Sequence, residues 1–228
     1  MPALNEEGVI GATLDSIPAG LVDVVYVADN GSRDGTAAEA RAHGARTVRE
    51  ERRGYGSACQ AALRALAGSG GADVVVFLDA DGSEPAEELG AVLAPIVAVA
   101  ADLVIGCRRF GATPAHVSIG NRLACAILRW LAGHRFHDLG PLRAIRFGAL
   151  QRLALRDPDY GWNVEMQARA LAVGLRVVEV PISHRARRAG SSKISGSLTG
   201  TLKAGAKIIV TAVREGWHAR RALRARDS

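Results

Sequence analysis

The segment that most constrains the fold is 74–81, an uninterrupted apolar run that ends in Asp79-Ala80-Asp81. A short apolar run rich in β-branched residues is typical of a strand buried on both faces of a parallel sheet. Ligand sites of open α/β sheets lie at the carboxyl ends of the strands, where these two aspartates would stand. Because Mg²⁺ binds carboxylate oxygens together with substrate phosphates, the segment predicts a cation and phosphate site at that edge.

A second acidic turn strengthens this prediction. The apolar run 22–27 leads into Ala28-Asp29-Asn30-Gly31-Ser32-Arg33-Asp34-Gly35-Thr36. One Asp-x-Asp pattern alone is common in solvated turns, but here two apolar runs end in acidic turns. Together they indicate a site for a nucleotide diphosphate.

Apolar, β-branched runs alternate with alanine-rich stretches along the chain. We expect strands at 22–28, 45–49, 74–78, 102–106 and 175–180, and helices at 6–16, 36–42, 55–67, 86–99, 121–132, 160–173 and 196–214. This alternation predicts an α/β fold with a mostly parallel sheet and helices on both faces. We expect one domain at 1–195, with 196–228 as a basic helical tail packed on it or appended to it.

The start of the sequence is unusual for such a fold. Residues 2–6, Pro-Ala-Leu-Asn-Glu, resemble a turn from a strand into a helix, yet no apolar run precedes them. We therefore expect the first strand to be missing. Either the start site is placed too far downstream, or the strand is truly absent and leaves a gap in the middle of the sheet.

Charge is unevenly distributed over the 228 residues, whose net charge is +6. The basic excess is concentrated from His184 onward, whereas the preceding part is slightly acidic. Such an end indicates an anionic partner, which could be a membrane surface, phosphates or nucleic acid, although a solvated helix is an equal interpretation. Three widely spaced cysteines fit a reducing compartment, so we expect a cytoplasmic protein, with peripheral attachment to the inner membrane face as one interpretation of the basic end.

The ordered set of motifs resembles family 2 glycosyltransferases of the GT-A fold, and especially the dolichyl-phosphate mannose synthase-like and polyprenyl-phosphate hexose synthase-like branch. The matching segments are 2–6, 29–36, 79–81, Asp138 with 140–143, 162–166, and 188–193. Each motif is weak alone, but they occur in the family's order over residues 1 to about 195.

The resemblance implies a donor site and a cation. Asp29 would accept a hydrogen bond from the imide N–H of uracil or guanine, so a UDP- or GDP-hexose is the expected donor. The remaining donor-binding residues would be Pro2, Leu4, Glu6, Asp79 and Ala80. Asp81 would bind Mg²⁺ or Mn²⁺, assisted by Asp79 and more weakly by Ser83, and the cation would neutralise the leaving diphosphate.

The resemblance also implies an acceptor site. Arg108, Arg143, Arg188 and Lys193 would form an anion clamp, since arginine offers a fork of donors suited to phosphate. A polyprenyl phosphate would arrive as a dianion and need no base, whereas a hydroxyl acceptor would need Glu165 or Asp138 as a general base. Glu165 is alternatively an ordinary helix carboxylate that pairs with Arg169 at i+4.

The expected reaction is therefore inverting transfer of a hexose, most consistently to a polyprenyl phosphate. Alternatives are transfer to a soluble hydroxyl acceptor, or a non-catalytic basic domain that binds nucleic acid or other anions. A nucleotidyltransferase is disfavoured because no glycine-rich activating loop with Arg and Lys lies near the start. Nucleic acid is not an expected partner, because that alternative leaves both acidic turns unexplained.

Overall fold

The computed structural model describes residues 1–108, 115–185 and 198–227. The strands in these ranges are β1 Pro2–Ala3, β2 Tyr26–Asp29, β3 Arg46–Arg49, β4 Val74–Phe77, β5 Leu103–Arg108, β6 Arg143–Arg146 and β7 Val177–Ile182. The α-helices are α1 Ile10–Asp15, α2 Thr36–Ala42, α3 Tyr55–Gly68, α4 Leu89–Val97, α5 Ala115–Ala132, α6 Phe147–Leu153, α7 Trp162–Ala172 and α8 Leu198–Asp227. A single 3₁₀ turn, Ala86–Glu88, precedes α4.

The strands form two sheets. The first has the order β1-β2-β3 and is parallel throughout, and the second has the order β4-β6-β5-β7. In the second sheet β5 and β7 are parallel, whereas β6 runs antiparallel to both β4 and β5. The predicted α/β fold is confirmed, with β6 as the antiparallel exception.

Helices cover both faces of the sheets. Phe77, Leu103 and Ile105 belong to one core cluster, whereas their neighbours Leu78 and Val104 belong to the other. Successive side chains of a strand point to opposite faces, so this alternation places one apolar core on each side. Burial on both faces explains why the strands are apolar without a polar face.

The first strand, β1, is very short. β1 contains only two residues, and its pairing with β2 starts at Pro2 opposite Ala28. The sequence led us to expect no first strand. The structure instead has a first strand of two residues, and the strands form two separate sheets. Residues 22–25 were predicted as strand, but β2 begins at Tyr26.

Helix α8 is longer than predicted, and it packs on the domain against α5 and α7. Ala204, Ala212 and Ala219 are buried on its inner face. Two ion pairs tie the helix to the body: Lys207 lies 3.2 Å from Asp157, and Glu215 lies 3.1 Å from Arg169. No helix in the described part of the chain is long and apolar enough to span a membrane.

Candidate active site

The turns that follow β1 and β2 are joined by hydrogen bonds. The backbone N–H of Asn5 donates to Ser32 Oγ at 2.9 Å, and the N–H of Arg33 donates to Asn5 Oδ1 at 2.8 Å. The N–H of Glu6 donates to Thr36 Oγ1 at 2.8 Å. The predicted donor-side residues at the start of the chain therefore lie beside the turn that follows Asp29.

Asp29 ends β2 and is buried. Its Oδ1 accepts the N–H of Ser32 at 2.7 Å, and its Oδ2 accepts Arg49 Nη1 at 3.0 Å. In both contacts the carboxylate oxygens act as acceptors. The carboxylate is fixed at the sheet edge with lone pairs left for one further donor, which suits the proposed contact with an imide N–H.

The neighbouring Asn30 has a structural role that sequence reasoning missed. Its Nδ2 donates to the carbonyls of Glu50 and Arg52, at 3.1 and 2.8 Å, and its Oδ1 accepts the N–H of Gly54 at 2.8 Å. One side chain thus holds the connection between β3 and α3 against the end of β2. Only the position of Asn30 within the segment 29–36 could have indicated this structural role.

The turn after β4 carries the predicted cation ligands. Asp81 is buried and its Oδ1 accepts the N–H of Ser83 at 2.9 Å, while Asp79 is half-buried. The carbonyl of Ala80 accepts the hydroxyl of the buried Thr13 on α1 at 3.1 Å. These contacts fix the backbone of the turn against the first helix.

Glu84 and His184 also stand at this turn, and sequence reasoning missed both. Glu84 is buried, accepts the Ser83 hydroxyl at 2.9 Å, and lies 3.5 Å from His184 Nδ1. Nothing in the sequence of this acidic turn indicated that Glu84 is buried. His184 follows β7 and is far from the turn along the chain. The backbone of Arg185 donates to the carbonyl of Ser83 at 2.8 Å, so the chain after β7 runs against the turn.

Several charges share the space around Asp79. Burial raises the pKa of the Tyr55 phenol well above its usual value, and the negative charge of Asp79 adds to this shift. Burial alone would lower the pKa of Arg108, but Asp138, Glu84 and Asp79 outweigh it and raise the pKa. The turn at residues 79–84, here called the cation turn, therefore interacts electrostatically with Arg108 at the end of β5.

Asp138 is held by Arg108 and Asn121. Arg108 donates from Nε and Nη2 to the two carboxylate oxygens at 2.8 Å each, and Asn121 Nδ2 donates to Oδ1 at 2.8 Å. Burial alone would raise the pKa of Asp138, but its hydrogen bonds and the charge of Arg108 lower it instead. A carboxylate with a lowered pKa and paired oxygens is a weak proton acceptor, so the geometry speaks against the expected general-base role.

Close backbone packing fixes this arrangement. A Cβ on Gly140 would lie 1.9 Å from the carbonyl oxygen of Gly106, so only glycine fits there. The turn that carries Asp138 is thereby held directly against β5, the strand that ends at Arg108. Gln167 on α7 adds a hydrogen bond of 2.8 Å to the Asp138 carbonyl.

Arg143 does not stand in the anion clamp expected for it. Its side chain is 0 % exposed and donates to the carbonyls of Leu139, Gly140 and Asn163. Burial lowers the pKa of its guanidinium to about 10. Because its donors are used by backbone oxygens inside the core, Arg143 shapes the turn from within and presents no donors at the surface.

Glu165 is likewise 0 % exposed. It accepts the backbone N–H groups of Arg156 and Asp157, at 3.0 and 2.8 Å, and lies 2.9 Å from Arg169 Nη2. This is the i+4 pair that the helix spacing predicted as the alternative to a base. The carboxylate holds the loop before α7 and is enclosed by its partners.

Two of the four expected clamp residues, Arg188 and Lys193, lie outside the described residues. Of the other two, Arg108 is paired with Asp138 and Arg143 is buried. Among the described residues no group of three or more His, Cys, Asp or Glu side chains is placed to hold a metal ion.

Comparison with known proteins agrees with the resemblance seen in the sequence. The model of the family described as glycosyl transferase family 2 matches residues 1–153. An uncharacterized glycosyltransferase of Mycobacterium tuberculosis is 40% identical over 206 residues, which cover 89% of this chain and 91% of the relative. The undecaprenyl-phosphate mannosyltransferase of Micrococcus luteus is 34% identical over 251 residues, covering 99% of this chain and 96% of the relative.

Solved structures give the same result for the fold. The glucosyl-3-phosphoglycerate synthase of Mycobacterium tuberculosis, crystallised with Mn²⁺, UDP-glucose and phosphoglyceric acid, superposes with a TM-score of 0.76 at 28% identity. The match covers 94% of this chain and 77% of that one. The chain belongs to glycosyl transferase family 2.

Proposed function

We propose that this protein transfers a hexose from a nucleotide diphosphate sugar to a polyprenyl phosphate with inversion at the anomeric carbon. A phosphate oxygen of the acceptor bonds to the anomeric carbon as the bond from that carbon to the diphosphate breaks. The products are a polyprenyl phosphohexose and the nucleoside diphosphate. No proton has to be removed, because a phosphate monoester with a second pKa of about 6 is a dianion at neutral pH.

The observation that carries this proposal is the state of the two acceptor-side carboxylates. Asp138 has its oxygens paired with Arg108 and Asn121, and Glu165 is enclosed by backbone donors and Arg169. A hydroxyl acceptor needs a base within hydrogen-bond reach, and neither carboxylate is suited to that role. A phosphate acceptor has no such need, and the undecaprenyl-phosphate mannosyltransferase is a relative over nearly the whole chain.

On the donor side we assign Asp29 to the base and residues 2–6 to the base and ribose. Pro2 and Leu4 are half-buried beside the turn that follows Asp29, with Glu6 bonded to Thr36. The carboxylate of Asp29 would accept the imide N–H of uracil or guanine. Asp79 and Ala80 would contact the ribose or the sugar.

For the divalent cation, Mg²⁺ or Mn²⁺, we assign Asp81 with Asp79 and a weaker contribution from Ser83. The donor set fits, because it consists of hard oxygen ligands on a turn whose backbone is fixed by Thr13. The bound cation would supply charge neutralisation of the leaving diphosphate. The crystal structures of the glucosyl-3-phosphoglycerate synthase that contain Mn²⁺ or Mg²⁺ together with UDP support a divalent cation as the cofactor.

For the acceptor phosphate we assign Arg188 and Lys193. The backbone before them is bound to the cation turn: Arg185 donates to Ser83, and the N–H of Ser183 donates to Glu88 at 2.9 Å. Arg188 comes three residues after Arg185 in the sequence. The described chain up to Arg185 is thus held against the turn that carries Asp81 and against Glu88, and this supports the assignment.

We further propose that the protein attaches peripherally to the anionic inner face of the cytoplasmic membrane. Trp130 on α5 is 72% exposed and Trp217 on α8 is 43% exposed, and their rings meet edge to face at 6.4 Å. Exposed Leu123, Val210 and Val213 lie on the same two helices, as do exposed arginines. Tryptophan and arginine together suit a lipid headgroup region, so this aromatic and basic face would bring the enzyme to a lipid acceptor.

Product analysis tests the proposed function. The enzyme is incubated with Mn²⁺, UDP- or GDP-hexoses and either a short polyprenyl phosphate or phosphoglycerate, and products are identified by mass spectrometry. We expect a polyprenyl phosphohexose from one donor. Glycosylation of phosphoglycerate alone would replace the proposed acceptor, and no transfer from any donor to either acceptor would contradict the proposal.

A further inference from the structure

Glu84, at the end of the cation turn, is a buried carboxylate to which the proposed reaction gives no role. Its side chain is 1% exposed, and its neighbours are the Ser83 hydroxyl and the His184 imidazole. Removing a carboxylate from water is unfavourable unless hydrogen bonds or charges compensate for the lost hydration. Because Glu84 directly follows Ser83, which we assign to the cation, its contact with Ser83 is the one that bears on the active site.

The polar groups of Ser83 are each fixed by a different partner. Its N–H donates to Asp81 Oδ1 at 2.9 Å, and its carbonyl accepts the N–H of Arg185 at 2.8 Å. Its hydroxyl donates to Glu84 Oε2 at 2.9 Å. A serine hydroxyl has one hydrogen to donate and two lone pairs to offer. Since Glu84 takes the hydrogen, Ser83 Oγ is left as an acceptor only, and this is what a cation requires of its ligand.

Glu84 is also held from its other side. Its second oxygen, Oε1, lies 3.5 Å from Nδ1 of His184, whose side chain is itself largely buried. The neighbouring Ser183 donates its N–H to the carboxylate of Glu88 at 2.9 Å. The position of the Glu84 carboxylate relative to Ser83 is therefore set by packing between the cation turn and the chain that follows β7.

We propose that Glu84 is a positioning residue for the divalent cation, and that it acts by holding the Ser83 hydroxyl as an acceptor. The role rests on the proposed function, which supplies the cation and its assignment to Asp81, Asp79 and Ser83. A hydroxyl that donates to a carboxylate makes a charge-assisted bond, which polarises its oxygen toward the remaining partner. Ser83 would thus bind the cation more tightly than a serine whose hydroxyl rotates freely. Partners of this kind commonly change metal affinity by about 10- to 100-fold.

The charge of Glu84 also acts over a longer range. Although burial lowers the pKa of Arg108, Asp138 and Glu84 outweigh that effect and raise it. A long-range effect on the cation would depend on the charge of Glu84 and not on its hydrogen bond to Ser83. Variants that keep the charge and remove the hydrogen bond therefore separate the two explanations.

The test measures the affinity for Mn²⁺ in the presence of UDP or GDP, whichever the wild type binds, from the electron paramagnetic resonance signal of unbound Mn²⁺. Glu84→Asp keeps the charge but has a shorter side chain, which withdraws the carboxylate from Ser83. Glu84→Gln keeps the length but offers a neutral, weaker acceptor. Each change is also made together with Ser83→Ala. Glu87→Gln is the matched control, because Glu87 lies in the adjoining 3₁₀ turn and its side chain is 47% exposed.

We expect both Glu84 variants to weaken Mn²⁺ binding by about tenfold when Ser83 is present. In the Ser83→Ala background the same changes should weaken it by less than about twofold, because the effect of Glu84 passes through the Ser83 hydroxyl. Glu87→Gln should bind Mn²⁺ as the wild type does. Tm and circular dichroism are recorded for each variant, so that affinities are compared only between folded proteins, and either Glu84 variant suffices if the other does not fold.

Wild-type affinity in Glu84→Asp would overturn the proposal, because the charge alone would then be responsible. An equal loss with and without the Ser83 hydroxyl would also overturn it, since Glu84 would then act on the cation independently of Ser83. A lowered Tm with unchanged Mn²⁺ affinity would leave Glu84 a structural role only. In these three cases the proposed function stands, whereas a wild-type protein that binds no Mn²⁺ with either nucleotide would overturn the proposed function and this inference together.

Discussion

The guanidinium of Arg108 donates two parallel hydrogen bonds of 2.8 Å to the carboxylate of Asp138. The pair joins the end of β5 to the turn before β6, and both side chains are largely buried. Its geometry is the bidentate form that gives the strongest pairing. The pair therefore acts as a structural element of the acceptor side, and neither partner is available for the role that its motif suggested.

Replacing Asp138 should expose that structural role. In Asp138→Asn, Arg108 would keep its charge in a buried place without a carboxylate partner. We expect a loss of about 3 kcal/mol in the free energy of unfolding, measured by urea denaturation. Asp73→Asn, an exposed change on the loop before β4, is the matched control and should alter stability by less than about 0.5 kcal/mol. Equal stability of the two variants would contradict the account.

Stability should fall in acid. Hydrogen bonds from Arg176 lower the pKa of Asp102 to about 2, and Arg108 lowers the pKa of Asp138. Because both folded-state pKa values lie below the unfolded value of about 3.9, their stabilisation is complete above that value and is lost as the pH falls through the folded values. Urea midpoints measured from pH 6 to pH 2 should decline less steeply in Asp102→Asn, and an unchanged decline would refute this assignment.

Glu165→Gln shows whether Glu165 has a structural role or acts as a general base. Since Glu165 accepts two backbone N–H groups and pairs with Arg169, the variant should lose about 2 to 4 kcal/mol of stability. Under conditions where it remains folded, kcat should change by less than about tenfold. A general base would show the reverse, with near-normal stability and a fall in kcat of about 10² to 10⁴.

Asp81→Asn tests the cation site. Wild-type protein should be stabilised against heating by the matching nucleotide diphosphate only when Mn²⁺ or Mg²⁺ is present, because ligand binding to the folded state raises Tm. The variant should lose that metal-dependent shift, whereas Asp73→Asn should retain it. A shift that survives in Asp81→Asn would place the cation elsewhere.

Trp130→Ala with Trp217→Ala tests the aromatic and basic face. Removing the two exposed rings should weaken binding to phosphatidylglycerol vesicles by roughly tenfold or more in a sedimentation assay at low salt. Val97→Ala is the control, because Val97 is 76% exposed on α4 and lies outside this face. Equal binding of the two proteins, or no vesicle binding by wild type, would remove the membrane proposal.

The sequence predicted the elements whose signal is local. Helix α2 begins and ends where expected, because Thr36 and the alanine-rich stretch after it suffice to define it. Strand β4 was likewise predicted, since a short apolar, β-branched run that ends in two aspartates rarely forms anything but a buried strand. The antiparallel direction of β6 could not be predicted, because direction depends on how the chain returns after α5.

The site was less predictable, because a motif shows which residue is present and not where its donors and acceptors point. Arg143 stands in a matching motif, yet its guanidinium is used by three backbone carbonyls inside the core. Glu84 had no motif and lies buried beside the cation turn. Burial and partner choice arise from tertiary packing, which a linear pattern does not encode.

Matched acceptors show whether the acceptor supplies its own nucleophilic anion. Initial rates are compared for a short polyprenyl phosphate and for the corresponding polyprenol, at equal concentration with the preferred donor and Mn²⁺. We expect transfer to the phosphate at a rate at least about 10² times that for the alcohol, the factor that a missing general base would cost. Comparable rates for the two acceptors would mean that the protein provides a base, and would contradict the account.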